Sequence, residues 1–170
     1  MNYKEYYKAA QRHRETCEYL INKLKDTQEC IEIPKQIKLL QNIYYLSGYV
    51  IECIISYSFF NVISYDTTKS VYDLEKYNSY GYSFNKYFRE HSKSANELRI
   101  EEIRKRGGTL SSTIPIIGEG TVHKTTKLMY EQWDAKSRYT ISHLTFNIDQ
   151  SNVNNFFMLA NDIYIKIRKL

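Results

Sequence analysis

Apolar positions recur at helical spacing over residues 3–25. Tyr3, Tyr7, Ala10, Cys17, Ile21 and Leu24 step along one face with Arg14 among them, while Lys8, Glu15, Lys23 and Lys25 fall opposite. That pattern predicts an amphipathic helix. Residues 26–34 read as a connection, with Pro34 placed just ahead of a second helix over 35–65. Residues 66–84 are rich in Ser, Thr, Asn and Tyr without a sustained period and predict a long connection; Tyr82 to His91 predicts a short helix. Ala95 to Arg106 is helical by propensity, stopped by Gly107-Gly108, with Arg104, Lys105 and Arg106 at the negative end of its dipole. Pro115, Gly118 and Gly120 make 109–126 a loop, and 127–148 is predicted helical again. The last helix follows Asp149 or Ser151 as N-cap, with Val153, Phe156, Phe157, Ala160, Ile163, Tyr164 and Ile167 as its apolar stripe. About five helices of this kind predict an all-α antiparallel helical bundle, one domain over 1–170.

Composition supports that reading. Two prolines and six glycines in 170 residues are too few for the closely spaced turns of a sandwich or barrel. The hydrophobic fraction of 42% suffices for one core. The segment 44–63 is long and apolar enough to span a bilayer. Glu52 at its centre, with Ser47, Ser56, Ser58 and Asn61, favours instead the covered central helix of a bundle. Cys17, Cys30 and Cys53 are scattered and odd in number, which points to a reducing cytoplasm and neither a disulfide framework nor a metal site. The first residues carry charge but no apolar core, so no signal peptide is expected. The net charge of +5 is compatible with a polyanionic partner.

The chemistry centres on two places. A carboxylate within the most apolar helix must be paired or protonated, so Glu52 predicts a cationic partner. Arg138 is the expected one, and His143 follows it by five residues. An imidazole can move a proton at a ribose hydroxyl or a leaving oxygen, and a guanidinium can hold charge on phosphate oxygens, without a metal or cofactor. On an ideal helix the two would stand about 140° apart, whereas Tyr139 and His143 would share a face. Asp134 and Arg138, four apart with the acid first, also suit an ordinary helix-surface pair.

Three pieces resemble the HEPN superfamily (higher eukaryotes and prokaryotes nucleotide-binding domain). They are Ala9-Ala10-Gln11-Arg12-His13, Tyr45-Leu46-Ser47-Gly48-Tyr49-Val50-Ile51-Glu52-Cys53, and Trp133 with Arg138-Tyr139, in the family's order across 9–143. The resemblance implies a commonly dimeric antiparallel bundle. It also implies a metal-independent endoribonuclease of a toxin–antitoxin or anti-phage defence system, marked by an Arg, four to six residues, and a His. Arg138 and His143 fit that spacing. Glu52 and Tyr139 would support them, Arg12, His13 and Arg14 would contact RNA, and products would end in a 2′,3′-cyclic phosphate.

The sequence departs from the pattern in two places. Tyr139 stands where active nucleases usually carry Asn, Asp or His, and Leu144 and Thr145 stand where some toxins carry a Tyr modified by a nucleotidyltransferase antitoxin. The resemblance therefore leaves open a non-catalytic module that binds a nucleotide, a nucleotidyltransferase or another defence partner. Seventeen tyrosines also suit a protein built for interfaces.

Overall fold

The computed structural model describes residues 1–26, 32–107, 122–140 and 142–168. Among these residues six α-helices run in the order α1 (Lys4–Asp26), α2 (Ile33–Val62), α3 (Phe84–Phe88), α4 (Lys93–Arg106), α5 (Lys124–Glu131) and α6 (Gln150–Arg168), with 3₁₀ turns at Val71–Asp73 and Ala135–Arg138. No strand occurs among the described residues. Much of the loop expected over 109–126 lies outside them, as do Cys30 and Gly108; within the remainder, Lys124 already begins α5.

The two long helices are antiparallel. Tyr3 meets Tyr57 and Phe60, His13 meets Tyr49, and the Cys17 thiol reaches the Ile43 carbonyl, so contacts climb one helix as they descend the other. Helix α6 runs alongside α2 in the same direction, with Phe156 against Tyr44 and Ile167 near Tyr57 and Ser58. Helix α2 contacts α1, α4 and α6, and this explains its composition. It is the one described helix long and apolar enough to cross a membrane, yet 78% of its most apolar window is buried within the bundle. Ile43, Tyr44, Val50, Ile51, Ile54, Phe59 and Phe60 are fully covered. Each such side chain contributes roughly 1.5–3 kcal/mol of burial free energy, so the bundle itself accounts for the apolar character.

Local signals set several ends. Pro34 sits in the first turn of α2, where its missing N–H costs nothing. Asp149 is the working N-cap of α6: its carboxylate accepts from Asn152 N–H at 2.8 Å. Only residues 127–131 of the helix expected over 127–148 are α-helical. Helix α5 ends at Glu131, and Asp134 accepts from the backbone N–H of Lys136 and Ser137, restarting the chain as a 3₁₀ turn. Gln132 then binds Thr145 through both ends of its amide, at 2.6 and 2.8 Å. These polar side chains supply partners that a continuous helix would have supplied from the backbone. Asp134 is occupied as a cap rather than paired with Arg138.

Candidate functional site

Gly48 organises the region around the middle of α2. A Cβ at this position would overlap the Trp133 indole, so the absence of a side chain lets the ring lie against the helix. Trp133 Nε1–H donates to the Tyr45 carbonyl at 3.1 Å, and its ring stands edge-on to Tyr49, 5.1 Å between centroids. The residues after Trp133 are tied to the loop before α4. Asp134 bridges Ser92, and Ala135 N–H donates to the His91 carbonyl at 3.1 Å. One glycine–tryptophan contact thus fixes the 91–92 and 134–138 segments on the same part of α2.

Beneath these segments lies a buried ionic centre. Glu52 is 4% exposed and Arg99, from α4, is 0% exposed. Arg99 Nη2 stands 4.0 Å from Glu52 Oε1 and donates to Asn96 Oδ1 at 2.7 Å, while its guanidinium lies over the Phe88 ring. His91 Nδ1–H donates to the same Glu52 oxygen at 2.6 Å. The expected pairing of Glu52 with Arg138 is therefore corrected: Arg99 and His91 are its partners. A helix laid on α2 brings Arg99 into the core, whereas Arg138 ends an exposed 3₁₀ turn. Burial pushes the Arg99 pKa down and Glu52 opposes it. The hydrogen bond to Glu52 raises the pKa of His91 above its ordinary 6.5. Glu52 Oε2 and Arg99 Nε and Nη1 make no hydrogen bond among the described residues.

The expected residues spread along one face of α2 beside this centre, from His13 near Tyr49 to Arg138 and Tyr139 near Gln41. Gln41, Tyr45 and Tyr49 lie four apart on one face of α2. His13 and His91 each approach the Tyr49 ring, at 5.7 and 6.1 Å between centroids, and Tyr45 packs edge-on against it. Burial, with Arg12 beside it, lowers the pKa of His13, so the two imidazoles are displaced in opposite directions. Arg12 is exposed. At the Gln41 end, Arg138, Tyr139, Thr140 and Ser142 line a shallow groove. Arg138 forms no ion pair among the described residues and sits 5.7 Å over Tyr139, which is 82% exposed. His143 is exposed just beyond the groove, on irregular backbone, so no helix face unites it with Tyr139.

Arg14 is separated from this surface by its internal contacts. It pairs with Glu18 at 2.8 Å, reaches Asn161 and stacks on Tyr164. The Asn161 and Tyr164 contacts hold α1 to α6.

The sequence reading missed His91, Arg99 and Asn96. The carboxylate in an apolar helix announced that a cation was needed, but not which one. Asn96 and Arg99, three apart, are both fully buried, while the mixed polar sequence of α4 gives little warning of an inward polar face. Chemically, the centre fixes an imidazole by its Nδ1 and leaves the half-exposed ring free to exchange a proton at Nε2. Among the described residues no group of three or more His, Cys, Asp or Glu side chains could hold a metal ion.

Fold and site together define an all-helical bundle with a buried Glu52–Arg99 pair, joined by the half-exposed His91, beside an aromatic and basic face. Comparisons with protein-family models, curated proteins and solved structures find no match to this chain.

Proposed function

We propose that the protein binds RNA along the face bounded by Arg12, His13, Tyr45, Tyr49, His91, Arg138 and Tyr139, as a HEPN-like module. One observation carries this reading: Arg12 and Arg138, exposed and without ion-pair partners among the described residues, flank aromatic rings that follow a single stripe of α2. Aromatic rings accept stacked bases, and free Arg side chains release counterions from phosphates. A homodimer would extend the face, and a nucleotidyltransferase or another component of a toxin–antitoxin or defence system is the partner class the resemblance implies.

A second reading, metal-independent cleavage, is favoured by the bond between Glu52 and His91. A carboxylate that holds one imidazole nitrogen orients the other for proton transfer. Arg138 would steady the phosphate, with His143 as the alternative proton carrier from the same segment or from a second subunit.

The test is fluorescence anisotropy of a labelled single-stranded RNA, followed by incubation of bound RNA in EDTA. Salt-dependent binding weakened several-fold in Arg138→Ala and Tyr139→Ala, with the fold intact, supports the RNA face. Absence of binding, or equal binding by both variants, refutes it. Bound but uncut RNA assigns a binding module. Cleavage to 2′,3′-cyclic phosphate ends, lost in His91→Ala or in His143→Ala, assigns a nuclease and its proton carrier.

A further inference from the structure

The three fully or nearly buried serines of α2 differ in one respect. Ser47 Oγ donates to the Ile43 carbonyl at 2.7 Å, and Ser56 Oγ donates to the Glu52 carbonyl at 2.7 Å, so each hydroxyl is satisfied by the preceding turn. Ser58, 2% exposed, makes no hydrogen bond among the described residues. It lines a cleft of about 370 Å³ between α1, α2 and the end of α6. Lys4 and Lys8 flank the cleft from α1, Tyr57 and Asn61 from α2, and Arg168 from α6. Tyr7, on the same wall, packs against Tyr57 with 5.3 Å between ring centroids.

A buried hydroxyl left without a partner costs about 1–3 kcal/mol, and the Ser58 side chain, buried behind the cleft wall, would recover that cost by turning its hydroxyl onto a ligand atom in the cleft. The surrounding charge states which kind. Three cationic side chains line the cleft and, among the described residues, no carboxylate does. Glu5, bound to Lys8 at 2.8 Å, is the nearby acid, and an incoming anion would compete with it for that ammonium. Tyrosine rings provide an apolar wall, and the volume exceeds what a bare phosphate fills while falling within the range of small-molecule sites.

We propose that this cleft binds a small phosphomonoester, with Ser58 and Asn61 hydrogen-bonding the ligand, Lys4, Lys8 and Arg168 neutralising its phosphate, and its organic part against Tyr7 and Tyr57. The cleft lies away from the Arg138–Tyr139 end of the RNA face, since Gln41, beside those residues, and Ser58 are 17 positions apart on α2, about 25 Å along the axis, while Lys8 stands one turn of α1 from Arg12 of that face.

The experiment is isothermal titration of the full chain with phenyl phosphate and, separately, inorganic phosphate, at constant ionic strength balanced by chloride. Saturable binding of phenyl phosphate with one site per chain is expected, tighter than inorganic phosphate. Arg168→Ala should weaken it about tenfold and Ser58→Ala about threefold. Both variants should fold, because Arg168 is exposed and the Ser58 hydroxyl has no partner to lose. Tyr139→Ala, on the other face, should leave phenyl phosphate binding unchanged. Heat no larger than that of chloride, or binding unaltered in both Arg168→Ala and Ser58→Ala, overturns the proposal.

Discussion

Replacing Glu52 by Gln tests the buried centre most directly. The substitution keeps the side chain's shape and removes its charge, leaving Arg99, 0% exposed, with Asn96 Oδ1 and the Phe88 ring as its remaining close company. Removing one partner of a buried pair costs about 3–5 kcal/mol, because the other charge stays out of water uncompensated. The Nη2–Oε1 separation of 4.0 Å exceeds hydrogen-bond length, which places the expected cost at the lower end, about 3 kcal/mol. In a domain of this size each kcal/mol moves the melting temperature by about 2–4 °C, so a fall of about 6–12 °C is expected. Circular dichroism melts and urea titrations of Glu52→Gln, Arg99→Met and the double variant give the coupling between the two sites. The double variant should be no less stable than Glu52→Gln, since the stranded cation has gone. Arg138→Ala is the control, and its exposed side chain should cost no more than about 0.5 kcal/mol. A Glu52→Gln protein melting within about 2 °C of the parent, or an Arg138→Ala protein losing as much as Glu52→Gln, would refute the assignment of Arg99 as the buried partner.

Three further outcomes follow from named contacts. His91 has its pKa raised in the fold by Glu52, so the stability it contributes is full below the ordinary value of 6.5 and is lost as pH rises through the folded value. His91→Gln should therefore lower the melting temperature more at pH 5.5 than at pH 8.5; a deficit that grows with pH contradicts the bond. Gly48→Ala forces a methyl group into the Trp133 indole and should destabilise by about 1–3 kcal/mol, with red-shifted emission from the single tryptophan. Unchanged emission and stability would show that the ring lies elsewhere. Burial pushes the thiols of Cys17 and Cys53 up to about 12, so both should resist iodoacetamide at pH 8 until urea unfolds the chain. Mass spectrometry that finds either one alkylated as fast as a free thiol would count against the packing of α1 on α2.

The long elements were legible because a single period runs through them. The stripe from Val153 to Ile167 buries every residue its spacing selects, and that from Tyr3 to Leu24 buries all but the partly covered Tyr7 and Arg14. In α2 the near-absence of a polar face was itself the signal of burial on several sides. The stretch after Glu131 was misread because propensity is summed over residues, whereas its course is decided by particular polar contacts. Asp134 closing on Lys136 and Ser137, and Gln132 binding Thr145 thirteen residues on, are choices between equivalent backbone partners that no periodicity records. Trp133 could have been tied to Gly48 only by knowing that the two segments meet.

The same distinction separates the two halves of the candidate site. Glu52 carried its own demand, since an ion in an apolar helix implies a counter-ion whatever the fold. The answer had to come from whichever element lay against that face of α2, and α4 supplies it through Arg99 while the loop before α4 supplies His91. The residues that carried the expectation of function divide by burial. Gly48, Glu52 and Trp133 build the platform, and Arg12, Arg138 and Tyr139 stand on it exposed. This division makes stability and ligand binding separable. Changes at the platform should lower the melting temperature and RNA affinity together, because the 91–92 and 134–138 segments lose their anchor on α2. Changes at Arg138 or Tyr139 should alter affinity alone. A Tyr139→Ala protein that melts early would place that ring in the core and dissolve the distinction, so its melting curve should be recorded beside its first binding isotherm.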